Sequence, residues 1–96
     1  MSSPTRQADR ALIAVMRALQ DDGFVVGTVG NASHRVGDAL RITPTRTPYA
    51  TMRPRDLVTV GIDGAAREAE LPPSRELPLH LAVYRARPDV RAIVHT

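Results

Sequence analysis

The order of elements along the chain predicts an α/β or α+β layer fold, in which helices pack on a small sheet. Apolar residues first recur at helical spacing, then come as short β-branched runs, and return to helical spacing near residue 77. A last apolar run follows at residues 91–95. A chain of this length buries roughly 60 to 70 per cent of the surface that its unfolded form exposes. Residues 1–96 are therefore expected to form a single domain around one small core.

The first segment predicts an amphipathic helix with a core-facing apolar stripe. Ser3 followed by Pro4 offers a cap and a first-turn proline, and Asp22-Gly23 provides a stop. The stripe comprises Ala8, Ala11, Leu12, Val15, Met16 and Leu19.

Runs of β-branched and aliphatic residues between turn residues predict strands at 25–26, 40–42 and 57–60. Residues 53–56 are expected to form one helical turn before the third run. Asp63-Gly64 predicts a hairpin that joins this run to residues 67–71.

The helical period returns with Leu77, His80, Leu81 and Tyr84 on one face, and Pro88 ends this segment. Because proline is not tolerated deep inside a helix, the regular helix is expected to start close to Pro78. Residues 91–95 then predict a buried strand.

All 13 basic residues other than histidine are Arg, and the chain has no Cys. It therefore offers no lysine for a Schiff base, no thiol nucleophile and no thiolate metal site. The net charge of +3 is modest and only three aromatic residues are present, which argues against a nucleic-acid-binding surface. The N-terminus has no apolar stretch typical of a secretory signal, so a cytoplasmic protein without membrane partners is expected.

Two groups of residues are candidates for chemistry. Residues 27–31 (GTVGN) contain two glycines that allow successive N–H groups to face an anion, or form a plain connection between helix and strand. Glu76 and His80 are four residues apart near the start of the second helix, and His95 ends the strand that follows. A carboxylate and imidazoles are zinc ligands, although His80 is more typical of a hydrogen-bonded core histidine.

Read together, these segments resemble the class II aldolase/adducin family. The matching blocks cover nearly the whole chain from Gly23 onward, in order and with the family's spacing. They are 27–35 (GTVGNASHR), 42–45 (ITPT), 56–60 (DLVTV), 73–76 (PSRE), 79–84 (LHLAVY) and 87–96 (RPDVRAIVHT).

The resemblance implies a three-layer α/β/α domain around a central mixed sheet, assembled as a homotetramer, and a divalent metal cofactor, most often zinc. Its phosphate-binding positions correspond to Gly30, Asn31, Thr45 and Ser74. Glu76 corresponds to the catalytic acid/base beside the metal, and His95 to the first histidine of a His-x-His metal pair. The candidate metal ligands are therefore His95 and Glu76.

Two positions depart from the family pattern. Arg46 stands where many sugar-phosphate members have Gly, and Arg75 where they have a second Ser. Each adds a cation with a planar donor fork beside the expected anion site, so both are further candidates for binding the substrate. They are equally compatible with a phosphate, a carboxylate, or side chains turned to solvent.

The resemblance implies a metal-dependent lyase that performs retro-aldol cleavage of a small sugar phosphate or related hydroxy-carbonyl compound. The alternatives are a 4-epimerase, dehydratase or decarboxylase of the same family, or a non-catalytic adducin-like interaction module. The sequence stops one residue after His95, before the family's second metal histidine. We therefore expect residues 1–96 to be an N-terminal portion of this domain, lacking its C-terminal part and inactive alone.

Overall fold

The computed structural model describes residues 2–65, 67 and 69–96. Its helices are α1 (Ser3–Asp21) and α2 (Leu77–Ala86), and its strands are β1 (Asn31–Val36), β2 (Ala39–Ile42), β3 (Val58–Gly61) and β4 (Ala92–His95). Single 3-10 turns occur at Tyr49–Thr51 and Pro54–Asp56. Neither helix of the described chain is long and apolar enough to cross a membrane.

The four strands form one sheet in the order β3-β2-β1-β4. All three pairings between these described strands are antiparallel. β1 lies between β2 and β4, so its residues have neighbours on both sides, and Asn31 pairs directly with His95.

One helix packs on each face of the sheet. Because side chains alternate along a strand, Ala32 and His34 of β1 face α1, whereas Asn31 and Ser33 face α2. Two separate apolar clusters result. The α1 cluster contains Leu12, Ile13, Met16, Val25, Ala32, Tyr49, Met52 and Leu57. The α2 cluster contains Leu40, Ile42, Val58, Val60, Leu81 and Tyr84. The layers are therefore helix, sheet and helix.

α1 differs from the prediction in its cap and in the direction of its buried face. The cap is Ser2 rather than Ser3, because Ser2 Oγ accepts a hydrogen bond from the Thr5 N–H at 3.2 Å. The buried residues are Asp9, Leu12, Ile13 and Met16. Ala11 and Val15 of the predicted stripe are exposed. The stripe is rotated because a charged residue, Asp9, belongs to the core-facing side.

Asp9 is completely buried and lies in a cluster with Arg41 and His34. The Arg41 guanidinium donates to both carboxylate oxygens, with Nε to Oδ1 at 2.9 Å and Nη2 to Oδ2 at 2.8 Å. His34 Nε2 donates to Oδ1 at 2.6 Å. Burial by itself raises the pKa of Asp9, but the hydrogen bonds from His34 and Arg41 outweigh it and hold that pKa below its ordinary value. This cluster ties α1 to β1 and β2.

The predictions for the remaining elements have mixed outcomes. The helical turn near 53–56 is confirmed as Pro54–Asp56, and the strand at 25–26 is wrong. Val25 is buried in the α1 cluster, but it lies in the loop after α1, where positive φ angles at Gly23 and Gly27 prevent extended pairing.

The hairpin at Asp63-Gly64 returns the chain to β3, since Gly61 N–H donates to the Ala65 carbonyl and Arg67 N–H to the Thr59 carbonyl. Ala66 and Glu68 lie outside the described residues, and the residues of 67–71 that are described form no strand. β4 is confirmed, but it is half-exposed rather than buried because it lies at an edge of the described sheet.

Candidate functional site

An open pocket lies where four segments meet: the loop before β1, the segment after β2, the segment before α2, and the end of β4. All eight site residues predicted from the sequence line it. They are Gly30, Asn31, Thr45, Arg46, Ser74, Arg75, Glu76 and His95. Residues more than 60 positions apart in sequence are therefore brought to one place by the pairing of β1 with β4 and by the start of α2.

The glycine loop on one side of the pocket is fixed by its packing. Gly30 has a φ of +84°, and a Cβ at this position would lie 3.2 Å from the His95 carbonyl oxygen and 3.2 Å from a methyl carbon of Val25. The Tyr49 hydroxyl donates to the Gly30 carbonyl at 2.5 Å. Burial raises the pKa of Tyr49 to about 12, so its phenol stays a donor at neutral pH.

The opposite side of the pocket is formed by two chain segments that pair with each other. Ser74 N–H donates to the Thr43 carbonyl at 2.9 Å, and Thr45 N–H donates to the Pro72 carbonyl at 3.1 Å. This pairing places Pro44 opposite Pro73 and brings Thr45 and Ser74 to the same pocket. Ser74 Oγ accepts the Glu76 N–H at 3.2 Å, which leaves its own O–H free to donate toward a ligand.

Arg46 has a φ of +53°, the left-handed conformation that favours glycine. This agrees with the departure noted above, in which Arg replaces the Gly of many family members. Arg46 and Arg75 both line the pocket and are exposed, so two arginines and no lysine are available there to bind an anion.

Glu76 directly precedes α2, and its backbone carbonyl accepts hydrogen bonds from the Leu79 and His80 N–H groups. Its side chain is exposed in the pocket and makes no hydrogen bond to any residue that the structure describes. The start of α2 thus fixes the Glu76 backbone and leaves its carboxylate unpaired. A proton-transfer group needs this arrangement.

His95 has a buried ring nitrogen, Nδ1, that finds no hydrogen-bond partner among residues 2–65, 67 and 69–96. An unpaired buried nitrogen is costly, and a metal ion is one of the groups that would satisfy it. The described residues contain no cluster of three or more His, Asp or Glu side chains able to hold a metal. The two predicted ligands, His95 and Glu76, both line the pocket, and their role in holding a metal stays a prediction.

His80 is a buried, fully hydrogen-bonded histidine, as its sequence context indicates. Nε2 donates to Asn31 Oδ1 and Nδ1 accepts from the Ser33 hydroxyl. Burial, with a smaller contribution from the nearby His95, lowers the pKa of His80 to about 4. The imidazole is therefore neutral at physiological pH.

This buried histidine predicts a pH-dependent stability. Between pH 6.5 and about 4 the unfolded chain takes up a proton at His80 that the folded chain excludes. The free energy of unfolding should therefore fall as the pH is lowered through this range. Urea denaturation at several pH values measures the slope, and His80→Gln, which does not titrate, should reduce it. An unchanged slope in the variant would contradict the assignment.

Two functional features could not be found in the sequence. Tyr49 lies about twenty residues beyond the loop that it fixes, and no local spacing connects the two. Ser33 lies on β1 and Tyr84 on α2, and the hydrogen bonds of Ser33 to His80 and to Tyr84 depend on how α2 packs on β1.

Known proteins resemble this chain in both sequence and structure. Residues 10–96 match the family model described as "Class II Aldolase and Adducin N-terminal domain". An L-fuculose phosphate aldolase from Methanocaldococcus jannaschii is 36% identical over 87 residues, which cover 91% of this chain and 47% of that protein. A 5-deoxy-D-ribulose 1-phosphate aldolase from Bacillus thuringiensis serovar kurstaki is 37% identical over 88% of this chain and 41% of its own length. The chain thus spans less than half the length of these curated relatives.

Solved structures also match most of this chain and less than half of their own length. An L-fuculose 1-phosphate aldolase superposes with a TM-score of 0.87 at 31% identity, over 100% of this chain and 45% of that chain. The L-fuculose-1-phosphate aldolase from Thermus thermophilus superposes with a TM-score of 0.75 at 33% identity, over 88% and 43% of the two chains. The predicted fold class and its helix-sheet-helix layers are confirmed for the part described, although the sheet there is antiparallel throughout rather than mixed.

Proposed function

Because the chain belongs to the class II aldolase and adducin family, we propose that the complete protein is a metal-dependent lyase acting on a small sugar phosphate or related hydroxy-carbonyl compound. The supporting observation is that all eight predicted site residues line one pocket. They include anion-binding groups, an unpaired carboxylate and an imidazole with an unpaired ring nitrogen.

The anionic end of the substrate would bind between the glycine loop and the paired segments that face it. Asn31 supplies an amide donor, and Thr45 and Ser74 supply hydroxyl donors. Arg46 and Arg75 would add charge-assisted hydrogen bonds, which are stronger than neutral ones. Two guanidinium groups suit either a phosphate or a carboxylate, so the terminal anion is the property of the substrate that this pocket most directly selects.

Glu76 would carry the proton in a retro-aldol cleavage. The bond between the α- and β-carbons breaks, Glu76 takes up the β-hydroxyl proton as the aldehyde forms, and Glu76 then gives that proton to the α-carbon of the other product. His95 would hold a divalent metal together with further ligands from the complete protein. Glu76 lines the same pocket as His95. When bound, such a metal supplies a Lewis acid that polarises the substrate carbonyl.

Zinc suits an imidazole and a carboxylate as ligands, and we propose it as the metal. The family resemblance also favours a homotetramer. A cytoplasmic location remains a prediction from the sequence.

The proposal is tested by incubating the complete protein with L-fuculose 1-phosphate and 5-deoxy-D-ribulose 1-phosphate, the compounds in the names of its relatives. We expect release of an aldehyde and dihydroxyacetone phosphate, lost on chelation and restored by zinc. Analogues with a carboxylate in place of the phosphate show which anion Arg46 and Arg75 favour. Consumption of substrate without aldehyde would favour an epimerase, dehydratase or decarboxylase, and inertness toward every compound would favour the interaction module.

A further inference from the structure

Four polar side chains form a continuous hydrogen-bonded chain between β1 and α2. The Tyr84 hydroxyl lies 2.8 Å from Ser33 Oγ, Ser33 Oγ lies 2.6 Å from His80 Nδ1, and His80 Nε2 lies 2.5 Å from Asn31 Oδ1. Ser33 and His80 are completely buried, and Tyr84 and Asn31 are 1% and 5% exposed. One end of this chain lies in the α2 core and the other lies in the pocket.

The direction of every bond in the chain follows from the orientation of the Asn31 amide, whose Oδ1 faces His80. Asn31 Oδ1 only accepts, so His80 Nε2 must carry the proton. A neutral imidazole has a single N–H, so Nδ1 accepts and the Ser33 hydroxyl donates to it. Ser33 has then used its only proton, so Tyr84 is the donor in the remaining contact.

The same orientation leaves the other end of the Asn31 amide available. Its oxygen is occupied by His80, whereas its nitrogen has no hydrogen bond to the residues that the structure describes. Nδ2 therefore remains free to donate, and Asn31 lines the pocket beside Gly30 and Ser74. An anion needs this donor, because a carbonyl oxygen in its place would repel it.

We infer that His80 is a positioning residue, which holds the Asn31 amide with its N–H groups available to the anion in the pocket. This inference rests on the proposed function, in which Asn31 binds the substrate anion. His80 itself is completely buried and does not line the pocket, so it acts through Asn31.

The chemistry of the buried chain supports such a role over simple packing. Four polar groups in a core are stabilising only when all are satisfied, and apolar side chains of similar volume would fill the same space without that condition. Within the described part of the protein each of the four groups has a partner, and the amide donor left over faces the pocket. A fixed donor costs less ordering on binding than a freely rotating amide.

Two substitutions of His80 separate positioning from packing. The longer amide of His80→Gln reaches about as far as Nε2 and can still donate to Asn31. The shorter amide of His80→Asn reaches only about as far as Nδ1 and keeps the Ser33 contact alone. In the complete protein we expect His80→Asn to raise KM and the inhibition constant for inorganic phosphate about tenfold, with a much smaller change in kcat. His80→Gln should recover most of this loss.

A double-variant cycle with Asn31→Ala tests whether the effect passes through Asn31. In the Asn31→Ala background, His80→Asn should no longer change phosphate inhibition. If the two effects simply add, or if both His80 variants lose affinity equally, the positioning role is wrong. If inorganic phosphate does not inhibit the wild-type protein at all, the proposed anion site is wrong, and the role of His80 with it.

Nitrogen-15 NMR of the wild-type protein provides a test that does not depend on how the variants fold. We expect His80 to be neutral and protonated on Nε2, and we expect the side-chain N–H₂ signals of Asn31 to shift when phosphate is added. Protonation of Nδ1 instead, or unmoved Asn31 signals with phosphate bound, would overturn the inference.

Discussion

Replacing Glu76 by Gln should lower kcat of the complete protein by about 10²- to 10⁴-fold, the usual contribution of a general acid or base. The substitution keeps the size and shape of the side chain but removes its ability to exchange a proton. Because the Glu76 backbone, rather than its side chain, makes the hydrogen bonds at the start of α2, the fold should be unaffected. Aldehyde release measured with saturating zinc gives the rate.

Glu70→Gln is the matched control, because it makes the same chemical change at an exposed position that does not line the pocket. Its kcat should equal that of the wild type. Inhibition by inorganic phosphate should be similar in both variants, which would show that the anion site survives when proton transfer is lost. Wild-type turnover in Glu76→Gln would remove Glu76 from the mechanism.

The second large effect is expected in stability. Asp9→Asn removes the charge that compensates Arg41 in the core, and breaking a buried ion pair in this way typically costs about 3–5 kcal/mol. Asn keeps the volume, so the loss should come from the uncompensated Arg41 rather than from a cavity. The free energy of unfolding at pH 7, measured by urea denaturation of the complete protein, checks the value.

The control is Asp89→Asn, which removes an exposed ion pair with Arg87 at 2.7 Å. Both of its partners are solvated, so little change is expected. A loss in Asp9→Asn as small as in this control would mean that the buried cluster makes no net contribution. Combining Asp9→Leu with Arg41→Met should restore part of the stability, because no charge is then left without a partner.

The sequence predicted much of the fold because its strongest signals are local. The start of α2 near Pro78 and the turn before β3 follow from proline positions and apolar spacing, and both are confirmed. The strand at 25–26 failed because two hydrophobic residues cannot outweigh the glycines on either side. The direction of the buried face of α1 could not be predicted, because an acidic residue such as Asp9 is expected on the exposed face. Asp9 becomes a core residue only through its ion pair with Arg41, 32 positions away.

The candidate site shows the same difference between features with a local sequence signal and features that depend on tertiary packing. Its lining residues were predicted through motif blocks, and the structure brings all of them to one pocket, although their roles remain predictions. The groups behind the lining were not predicted. Tyr49 contacts Gly30 across 19 positions in sequence, and Ser33 contacts His80 and Tyr84 across 47 and 51, so only tertiary packing connects these groups.

The alternation along β1 has a consequence for how this protein tolerates sequence change. Ala32 and His34 contact the α1 side, whereas Asn31 and Ser33 contact His80 on the α2 side, where the proposed anion site lies. Substitutions at the first pair would change folding without altering the pocket directly. An insertion or deletion of one residue within β1 would exchange the two sets, placing His34 toward α2 and Ser33 toward Asp9. A change in the length of β1 would therefore disturb both sides of the sheet at once, whereas a point change disturbs only one.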